Sequence, residues 1–494
     1  MFGWKVNLAV ALPESPTFWL LLFLVLFLHR YVRLIVNCVS HWRYKSYPIP
    51  DKPTFREKDV TVVIPTIHHN FEELRPSLES ILATNPFELI IVTTTSKFDD
   101  LMKVSRTLNF PRIRIFSIPV ANKRFQVCEA LPYVTTPITI MADDDVTWPP
   151  TLIPWILAPF ENEDIGGVGT CQRVRREEPG ASLLRLASNW LGACYIERRN
   201  FEISATHHMD GGTSCMSGRT GAYRTSIFRD AMFLHSFRTE RWRNYILNAD
   251  DDNFVTRWLV SHNWKTWIQY EPECEIETTL EYGLRFLYQC SRWARSNWRS
   301  NWTSLVVERH VWKQQPWSTY ALHIATFTSL AFVFDPLILA SLWWGTANWN
   351  EVIRRYAFRI MLVFFAFTKV VKLLGLFRKN PVDILYLPLS IVFGYFHGLI
   401  KLYALFTLNM TTWGSRKDGD DNDNLRLAPW PRRCAILNNP PLEEVEIIRY
   451  MGEAERPMSP SKSKCKIVIN DPSNSSAAPP TPPEEPASEK TPLL

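Results

Sequence analysis

The chain has 494 residues, more than one hydrophobic core usually supports, so two or more structural units are expected. Its formal net charge of +6 is modest, and no basic stripe accompanies a nucleic-acid-binding motif, which excludes nucleic acid as an expected partner. Its 9 cysteines include no Cys-x-x-Cys pair and no Cys/His cluster, so neither a disulfide framework nor a zinc site is expected.

The N-terminal segment predicts a transmembrane helix. Residues 18–28 are an uninterrupted apolar run, and the basic residues His29, Arg30 and Arg33 follow it. A cleaved signal peptide is the alternative, but its basic residues would precede the apolar run and a small-residue cleavage site would follow. The positive-inside rule then places the following domain in the cytosol. We therefore expect residues 1–57 to form a transmembrane helix and a juxtamembrane linker.

The next segment, residues 58–278, has the pattern of an α/β domain. Compact runs rich in β-branched and other apolar residues predict strands at 59–65, 87–93, 113–119 and 137–141. Apolar residues at helical spacing predict a helix at 72–82. Strand, helix, strand implies a parallel sheet with right-handed crossovers. The fourth strand ends just before Asp143, and open sheets of this kind bind ligands at the carboxyl ends of their strands.

Two acidic triplets are candidates for chemistry. Asp143 and Asp145 are two positions apart on an extended strand end, which puts both carboxylates on one side, able to share a divalent cation. The second triplet precedes a helical pattern at 253–260, and its last member, Asp252, is a candidate general base. The alternatives are a solvated acidic turn for the first triplet and N-terminal helix capping for the second.

An amphipathic helix is predicted at 280–298. Gln289, Arg292 and Trp293 are spaced i, i+3 and i+4, so they share one side of it. Arginine can bind a diphosphate and tryptophan can stack on a pyranose ring; interfacial anchoring is the alternative. The stretch SGRTGAYR at 217–224 has glycines that allow close approach of a ligand to the backbone, unless it is a simple hairpin.

Three apolar segments follow, at 317–344, 356–376 and 382–406, each long enough to cross about 30 Å of hydrocarbon. The last contains Pro388 and Gly394 and is expected to be kinked or re-entrant. We place amphipathic interface helices at 279–312, transmembrane or re-entrant segments at 313–410, and a disordered, Pro/Ser-rich tail at 411–494.

In this order and setting, the motifs resemble those of membrane-embedded, processive family 2 glycosyltransferases, the group of hyaluronan, chitin and cellulose synthases, and within it the fungal type 2 glycosyltransferases. The similarity spans residues 60–416. It implies a nucleotide-sugar-binding, glycosyltransferase A-type α/β domain inserted between transmembrane helices, with amphipathic interface helices. It also implies an integral protein of the plasma membrane with a cytosolic catalytic domain.

The resemblance assigns roles motif by motif. The stretch NKRFQVCEAL resembles the one that contacts the donor diphosphate, DDDVTW the D-x-D motif that holds Mg²⁺ or Mn²⁺, DDNFVTRWL the segment of the catalytic base, and QCSRW the Q-x-x-R-W signature at the channel mouth. The residues so assigned are Lys123 and Arg124 for the diphosphate, Asp143 and Asp145 for the metal, Asp252 for the base, and Gln289, Arg292 and Trp293 for the signature. SGRTGAYR resembles the acceptor-side loop, and residues 401–416 resemble the cytosolic end of the pore.

Two departures from the family pattern concern the donor. Residues 93–95 are threonines where an acidic residue usually reads the uracil ring, and Cys290 stands where a second Gln or Arg is usual in the signature. The predicted topology also contains a conflict. Three full crossings after a cytosolic domain would put the tail outside the cell, whereas the resemblance to the pore end puts residues 413–416 in the cytosol.

The resemblance implies an inverting transferase that extends a polysaccharide from a nucleoside diphosphate sugar, with UDP as the favoured nucleotide, and exports the cell-wall or extracellular product. Its expected partners are the donor, the growing acceptor and membrane lipid. The nearest alternative is a glycolipid synthase, such as a ceramide or polyprenyl-phosphate sugar transferase. A catalytically silent membrane scaffold is the alternative from a different class.

Overall fold

The structure, a computed structural model, describes residues 15–68, 70–108, 110–178 and 180–411, together with the backbone of the short strands Arg433–Leu437 and Ile448–Arg449. All of these residues belong to one compact unit, Met1–Gly452. The remainder of the expected disordered tail lies outside the described residues.

A mixed nine-stranded sheet forms the centre of the α/β domain, in the order β11-β6-β8-β4-β1-β2-β3-β13-β14. The strands in chain order are β1 (Val60–Pro65), β2 (Glu88–Thr94), β3 (Ile113–Ile118), β4 (Ile138–Ala142), β5 (Val146–Thr147), β6 (Ile165–Thr170), β7 (Gln172–Val174), β8 (Thr220–Arg224), β9 (Arg241–Trp242), β10 (Tyr245–Ile246), β11 (Lys265–Gln269), β12 (Ile276–Thr278), β13 (Arg433–Leu437) and β14 (Ile448–Arg449). The four predicted strands are confirmed to within one or two residues, and β4, β1, β2 and β3 pair in parallel in that order.

The strand order places the site. The chain runs outward from β1 to β3 and then returns to the other side of β1 as β4, so the direction of winding reverses between β1 and β4. Such a reversal opens a crevice at the carboxyl ends of the two strands. All side chains of β1, β2 and β4 are buried, which explains why these segments read as continuous apolar runs rather than alternating ones.

The helices are α1 (Pro16–Arg43), α2 (Arg75–Leu82), α3 (Phe98–Arg106), α4 (Lys123–Ala130), α5 (Leu152–Leu157), α6 (Leu183–Asp210), α7 (Thr225–Phe228), α8 (Ala231–Thr239), α9 (Asp251–Ser261), α10 (Leu284–Trp302), α11 (His310–Gln314), α12 (Pro316–Ser318), α13 (Ala325–Thr328), α14 (Ala331–Gly345), α15 (Glu351–Val371), α16 (Leu374–Lys379) and α17 (Leu387–Phe406). The long helix α6 begins at Ser182, whose hydroxyl accepts from the Arg185 amide at 3.4 Å, and ends at Gly211 in the left-handed region with φ 73°.

Two described helical segments, Pro16–Arg43 and Pro381–Phe406, are long and apolar enough to cross a membrane. A third is added if Pro316–Thr328 and Ala331–Gly345, which meet at a 90° bend, count as one span. The predicted segment at 356–376 is not among these candidate membrane spans. Its helix α15 carries Arg354, Arg355, Arg359 and Lys369, which interrupt the apolar run that a simple span requires.

Both ends of α17 contact the α/β domain. Just before it, Asp383 pairs with Arg176 at 2.6 Å, and Lys379 pairs at 2.6 Å with Glu275, which immediately precedes β12. Just after it, the Thr411 carbonyl accepts from the Asn248 amide at 3.4 Å. Both flanks of the helix are therefore fastened to the α/β domain.

One part of the tail prediction is wrong. Arg433–Leu437 forms β13, which pairs antiparallel with β3 and extends the sheet. The prediction of disorder rested on the average composition of the tail, whereas the local sequence RCAIL is apolar enough to add to an open sheet edge.

Candidate active site

A cavity of about 800 Å³ begins at the carboxyl ends of β1 and β4 and continues between the helices α1, α6, α10 and α17. Every residue assigned by sequence except Arg124 lines it. In particular Asp145 and Asp252, which are separated by more than a hundred positions in the chain, share this one cavity.

The first acidic triplet connects the two central strands. The Asp144 carboxylate accepts from the Thr66 hydroxyl, which follows β1, at 2.6 Å. The Asp143 amide donates to the Arg219 carbonyl at 3.0 Å. These two bonds fix the triplet against its neighbours on both sides, so Asp143 and Asp145 are presented to the cavity from a rigid support.

Lys123 lies between the two acidic triplets. Its Nζ is 2.7 Å from Asp143 Oδ1 and 2.8 Å from Asp251 Oδ2. Burial alone would lower the pKa of Lys123, but the two carboxylates outweigh it and hold the pKa above its ordinary value. Lys123 therefore stays charged and neutralises part of the acidic cluster.

Gly218, in the SGRTGAYR stretch, allows this arrangement. A Cβ at Gly218 would lie 3.0 Å from Lys123 Nζ and 3.4 Å from Asp252 Cβ. The glycine was predicted to allow close approach of an acceptor; in the structure it allows close packing of the loop against the lysine and the second triplet.

The second triplet opens α9 and is held from behind by α10. Asp250 has a left-handed backbone with φ 65°, which is uncommon for a residue other than glycine. Its carboxylate binds the Arg299 guanidinium twice, Nε to Oδ2 at 2.7 Å and Nη2 to Oδ1 at 3.0 Å. Arg299 Nη1 also donates to the carbonyls of Leu408 and Met410, each at 3.1 Å. Asp250 therefore anchors the second triplet to α10.

Asp251 and Asp252 differ in their electrostatic environment. Burial would raise the pKa of Asp251, but the Lys123 ammonium outweighs it, so this pKa lies below its usual range. Burial, followed by the charge of Asp251, raises the pKa of Asp252. Asp252 Oδ2 accepts from the Gly218 amide at 3.3 Å and Oδ1 from the Asn253 amide at 2.8 Å. A carboxylate with a raised pKa and a fixed orientation suits a general base.

The helix α10 presents the Q-x-x-R-W residues to the same cavity. Burial lowers the pKa of Arg292, and the carboxylates of Asp252, Asp251 and Asp143 oppose that shift, so its guanidinium faces the acidic cluster. The Trp293 ring stacks on Tyr195 with centroids 5.0 Å apart, and the Arg219 guanidinium lies 5.4 Å from its centroid. Gln289 Oε1 accepts from the Glu281 amide at 3.4 Å.

The assignment of Arg124 to the donor diphosphate is wrong in this structure. Its side chain is 1% exposed and binds Glu240 at 2.6 Å and the carbonyls of Phe237 and Ala249, each at 2.8 Å. These partners use the guanidinium inside the domain, away from the cavity. The stretch NKRFQVCEAL contains two adjacent basic residues, Lys123 and Arg124. Adjacent side chains on a helix point in different directions, and of these two only Lys123 lines the cavity.

The sequence reasoning missed helix α6. Tyr195, Arg198, Arg199 and Glu202 all line the cavity. Their spacing of three, four and seven positions places them on one helical face. That spacing of polar and charged residues was the available signal.

The residues present fit a divalent cation of the Mg²⁺ or Mn²⁺ type. Within the described ranges, no group of three or more His, Cys, Asp or Glu side chains could hold a metal by itself. Asp143 and Asp145 nevertheless supply hard oxygen donors to the cavity. Such a pair suits a cation that shares its coordination with the phosphate oxygens of a ligand.

A family model described as "Glycosyltransferase like family 2" matches residues 57–296. A "Type 2 glycosyltransferase" of Gibberella zeae is 69% identical over 454 residues, 91% of this chain and 86% of the relative. The hyaluronan synthase of Streptococcus pyogenes is 23% identical over 391 residues, 75% of this chain and 85% of the synthase. Among solved structures, a mannosyltransferase of Pyrobaculum calidifontis in complex with GDP-Man and Mn²⁺ superposes with a TM-score of 0.47 at 14% identity, covering 78% of this chain and 98% of the other.

Proposed function

Because the chain belongs to the type 2 glycosyltransferases, and is therefore an enzyme that transfers a sugar from a nucleotide-sugar donor, we propose that it extends a polysaccharide by inverting transfer at the cavity described above. One observation carries the proposal: the two acidic triplets, Lys123 and the Q-x-x-R-W residues, distant in sequence, line one cavity. These groups supply what the transfer needs, namely a base, positive charge for the leaving diphosphate and a platform for the acceptor.

Asp252 takes the proton of the attacking acceptor hydroxyl. Its raised pKa makes it a better proton acceptor than an ordinary carboxylate, and its two amide contacts hold it in place. The hydroxyl oxygen then forms the new bond to the anomeric carbon while the bond to the diphosphate breaks on the opposite side, which inverts the configuration.

Lys123 and Arg292 balance the charge that develops on the leaving diphosphate, and Gln289 helps to place it. Asp143 and Asp145 hold the divalent cation, which supplies further charge neutralisation when bound. Because Lys123 already pairs with Asp143 and Asp251, binding of a diphosphate exchanges carboxylate partners for phosphate partners at this ammonium.

Trp293 and the loop at 217–224 position the acceptor. The Trp293 ring stacks on Tyr195, which fixes its orientation, and Trp293 lines the cavity. An aromatic surface of this kind suits the apolar face of a pyranose ring. UDP remains the favoured donor nucleotide on the family resemblance, with the threonines at 93–95 as the departure.

The cavity continues between apolar helices, which supports a membrane enzyme that passes its product outward. In this proposal residues 58–278 form a catalytic domain in the cytosol, 279–312 interface helices, and 1–57 and 313–410 the segments in contact with lipid. We place the protein in the plasma membrane, with a cell-wall or extracellular polysaccharide as product.

The decisive experiment uses purified full-length protein in lipid nanodiscs with radiolabelled nucleotide sugars and Mg²⁺ or Mn²⁺. We expect a labelled product that stays in the aqueous phase and grows with time. Asp252→Asn should abolish transfer while binding the nucleotide with unchanged affinity, and Asp100→Asn, at an exposed position on α3, is the matched control. A single-sugar product extracted into organic solvent would instead establish a glycolipid synthase. Retained turnover in Asp252→Asn would contradict the assignment of the base.

A further inference from the structure

The inner part of the cavity is strongly basic. Arg33 of α1, Arg198 of α6, Lys372 after α15 and Lys401 of α17 line it together with Glu202. Electrostatic interactions connect Glu202 to Lys372, Arg33 and Lys401, and Arg198 to Glu202, so these five groups form one cluster. We call it the basic compartment. Four cations there face a single carboxylate.

Among the residues that the structure describes, only one of the four cations has an ion-pair partner. Lys372 Nζ donates to Glu202 Oε1 at 2.5 Å. Arg198 donates to the Ser390 hydroxyl at 2.5 Å and Lys401 to the Ser329 hydroxyl at 3.0 Å, and a hydroxyl does not neutralise charge. In the part of the chain that the structure describes, Arg33, Arg198 and Lys401 form no salt bridge with a carboxylate.

The neighbouring helices show a different arrangement. Arg30 and Lys369 both bind Asp335, at 2.7 and 3.1 Å, and Tyr395 donates to the same carboxylate at 2.9 Å. There each cation has a carboxylate partner within the protein. A group of unmatched cations enclosed between helices is electrostatically costly, and a bound anion would remove that cost.

The basic compartment is connected to the proposed acceptor platform. Tyr195 stacks on Trp293 on one side and meets the His397 ring edge-on at a centroid distance of 5.8 Å on the other. His397 in turn interacts electrostatically with Lys401 and Arg198. A row of ring side chains therefore leads from Trp293 to the cations within one cavity.

We infer that the basic compartment binds carboxylate groups of an acidic acceptor chain, so that the polysaccharide extended at Asp252 contains acidic sugars. This rests on the proposed function, because it assigns the acceptor of that reaction. An acceptor chain is favoured over a lipid phosphate because the compartment is continuous with Trp293 and because its cations come from four separate elements along the cavity.

The test measures binding and turnover separately, with full-length protein in nanodiscs of phosphatidylcholine alone. The probes are an oligogalacturonide and an uncharged maltooligosaccharide of equal length, each fluorescently labelled. We expect the acidic probe to bind at least about tenfold more tightly, and Lys401→Gln and Arg33→Gln each to weaken it about tenfold without changing the neutral probe, the effect of one lost charge-assisted contact. Lys103→Gln, at a position 76% exposed on α3, is the control and should change neither.

Equal binding of the two probes would overturn the inference. So would a result in which the unaltered protein binds phosphatidic acid but not the acidic probe, and Lys401→Gln weakens the binding of phosphatidic acid, since a lipid phosphate would then be the occupant. If the glutamine variants do not fold, Lys401→Arg must retain acidic binding, and acidic binding to the unaltered protein must weaken as salt rises. Hydrolysis of the donor in the absence of acceptor, measured as released nucleotide, depends on the donor site alone. If the unaltered protein releases no nucleotide, the proposed function is refuted, and not only the inference about the acceptor.

Discussion

The buried pair between Arg299 and Asp250 offers a quantitative test of how the second acidic triplet is held. Their side chains are 3% and 1% exposed, and the guanidinium also binds two backbone carbonyls beyond α17. Arg299→Met would leave the Asp250 carboxylate buried without its cation, which costs about 3–5 kcal/mol. Because 1 kcal/mol shifts the midpoint of a domain of this size by roughly 2–4 °C, the apparent Tm should fall by at least about 6 °C.

The double variant Arg299→Met with Asp250→Gly provides the discriminating result. It removes both charges and replaces a residue with φ 65° by one that accepts this conformation freely, which recovers about 1 kcal/mol of backbone strain. What remains is the loss of three hydrogen bonds, two from Arg299 to carbonyls and one from the Ser296 hydroxyl to Asp250, about 1 kcal/mol each. The double variant should therefore be more stable than Arg299→Met alone.

The assay is thermal unfolding of the full-length protein in detergent, followed by intrinsic fluorescence, with Lys103→Met as an exposed control that should change the midpoint little. Donor turnover is measured on the same samples below the midpoint. A double variant as unstable as Arg299→Met, or an Arg299→Met protein with an unchanged midpoint, would refute the reasoning.

Four further outcomes are expected. Asp252 must be ionised to act, so its raised pKa places the acid limb of the kcat/KM profile at a higher pH than an ordinary carboxylate would. Asp251→Asn removes one cause of the raised pKa and should move that limb to lower pH; an unmoved limb would contradict the electrostatic argument. Gly218→Ala, whose Cβ would lie 3.0 Å from Lys123 Nζ, should lower kcat/KM about tenfold, and a fully active protein would refute the tight packing. Arg124→Gln should lower the Tm and leave donor KM within about twofold, whereas a large KM effect would restore its original assignment. The sequon at Asn474 should remain unglycosylated in a secretory membrane, and a glycan there would contradict a cytosolic tail.

Much of the α/β domain could be predicted because its signal is local. The strands β1, β2 and β4 are short, mainly apolar runs bounded by turn residues, and a strand buried on both faces gives such a run regardless of its partners. The meeting of Asp145 and Asp252 in one cavity was inferred from the family resemblance, and spacing alone gave no reason for it.

The rest depended on tertiary contacts. Nothing in the local sequence indicates that Arg124 forms a salt bridge with Glu240, because that partner comes from a different part of the chain. The cavity-lining face of α6 has a readable spacing, but charged residues at helical spacing also describe an ordinary solvated face. The pairing of β13 with β3 depends on an open sheet edge, which the sequence of the tail does not reveal.

The position of α17 constrains the route of the backbone through the bilayer. A helix of 20 residues is about 30 Å long, the thickness of the hydrocarbon layer, yet Asp383 before it and Thr411 after it are both fastened to the same catalytic domain. The helix is therefore clamped at both ends, so its cavity-lining residues His397 and Lys401 are kept in register with the catalytic groups.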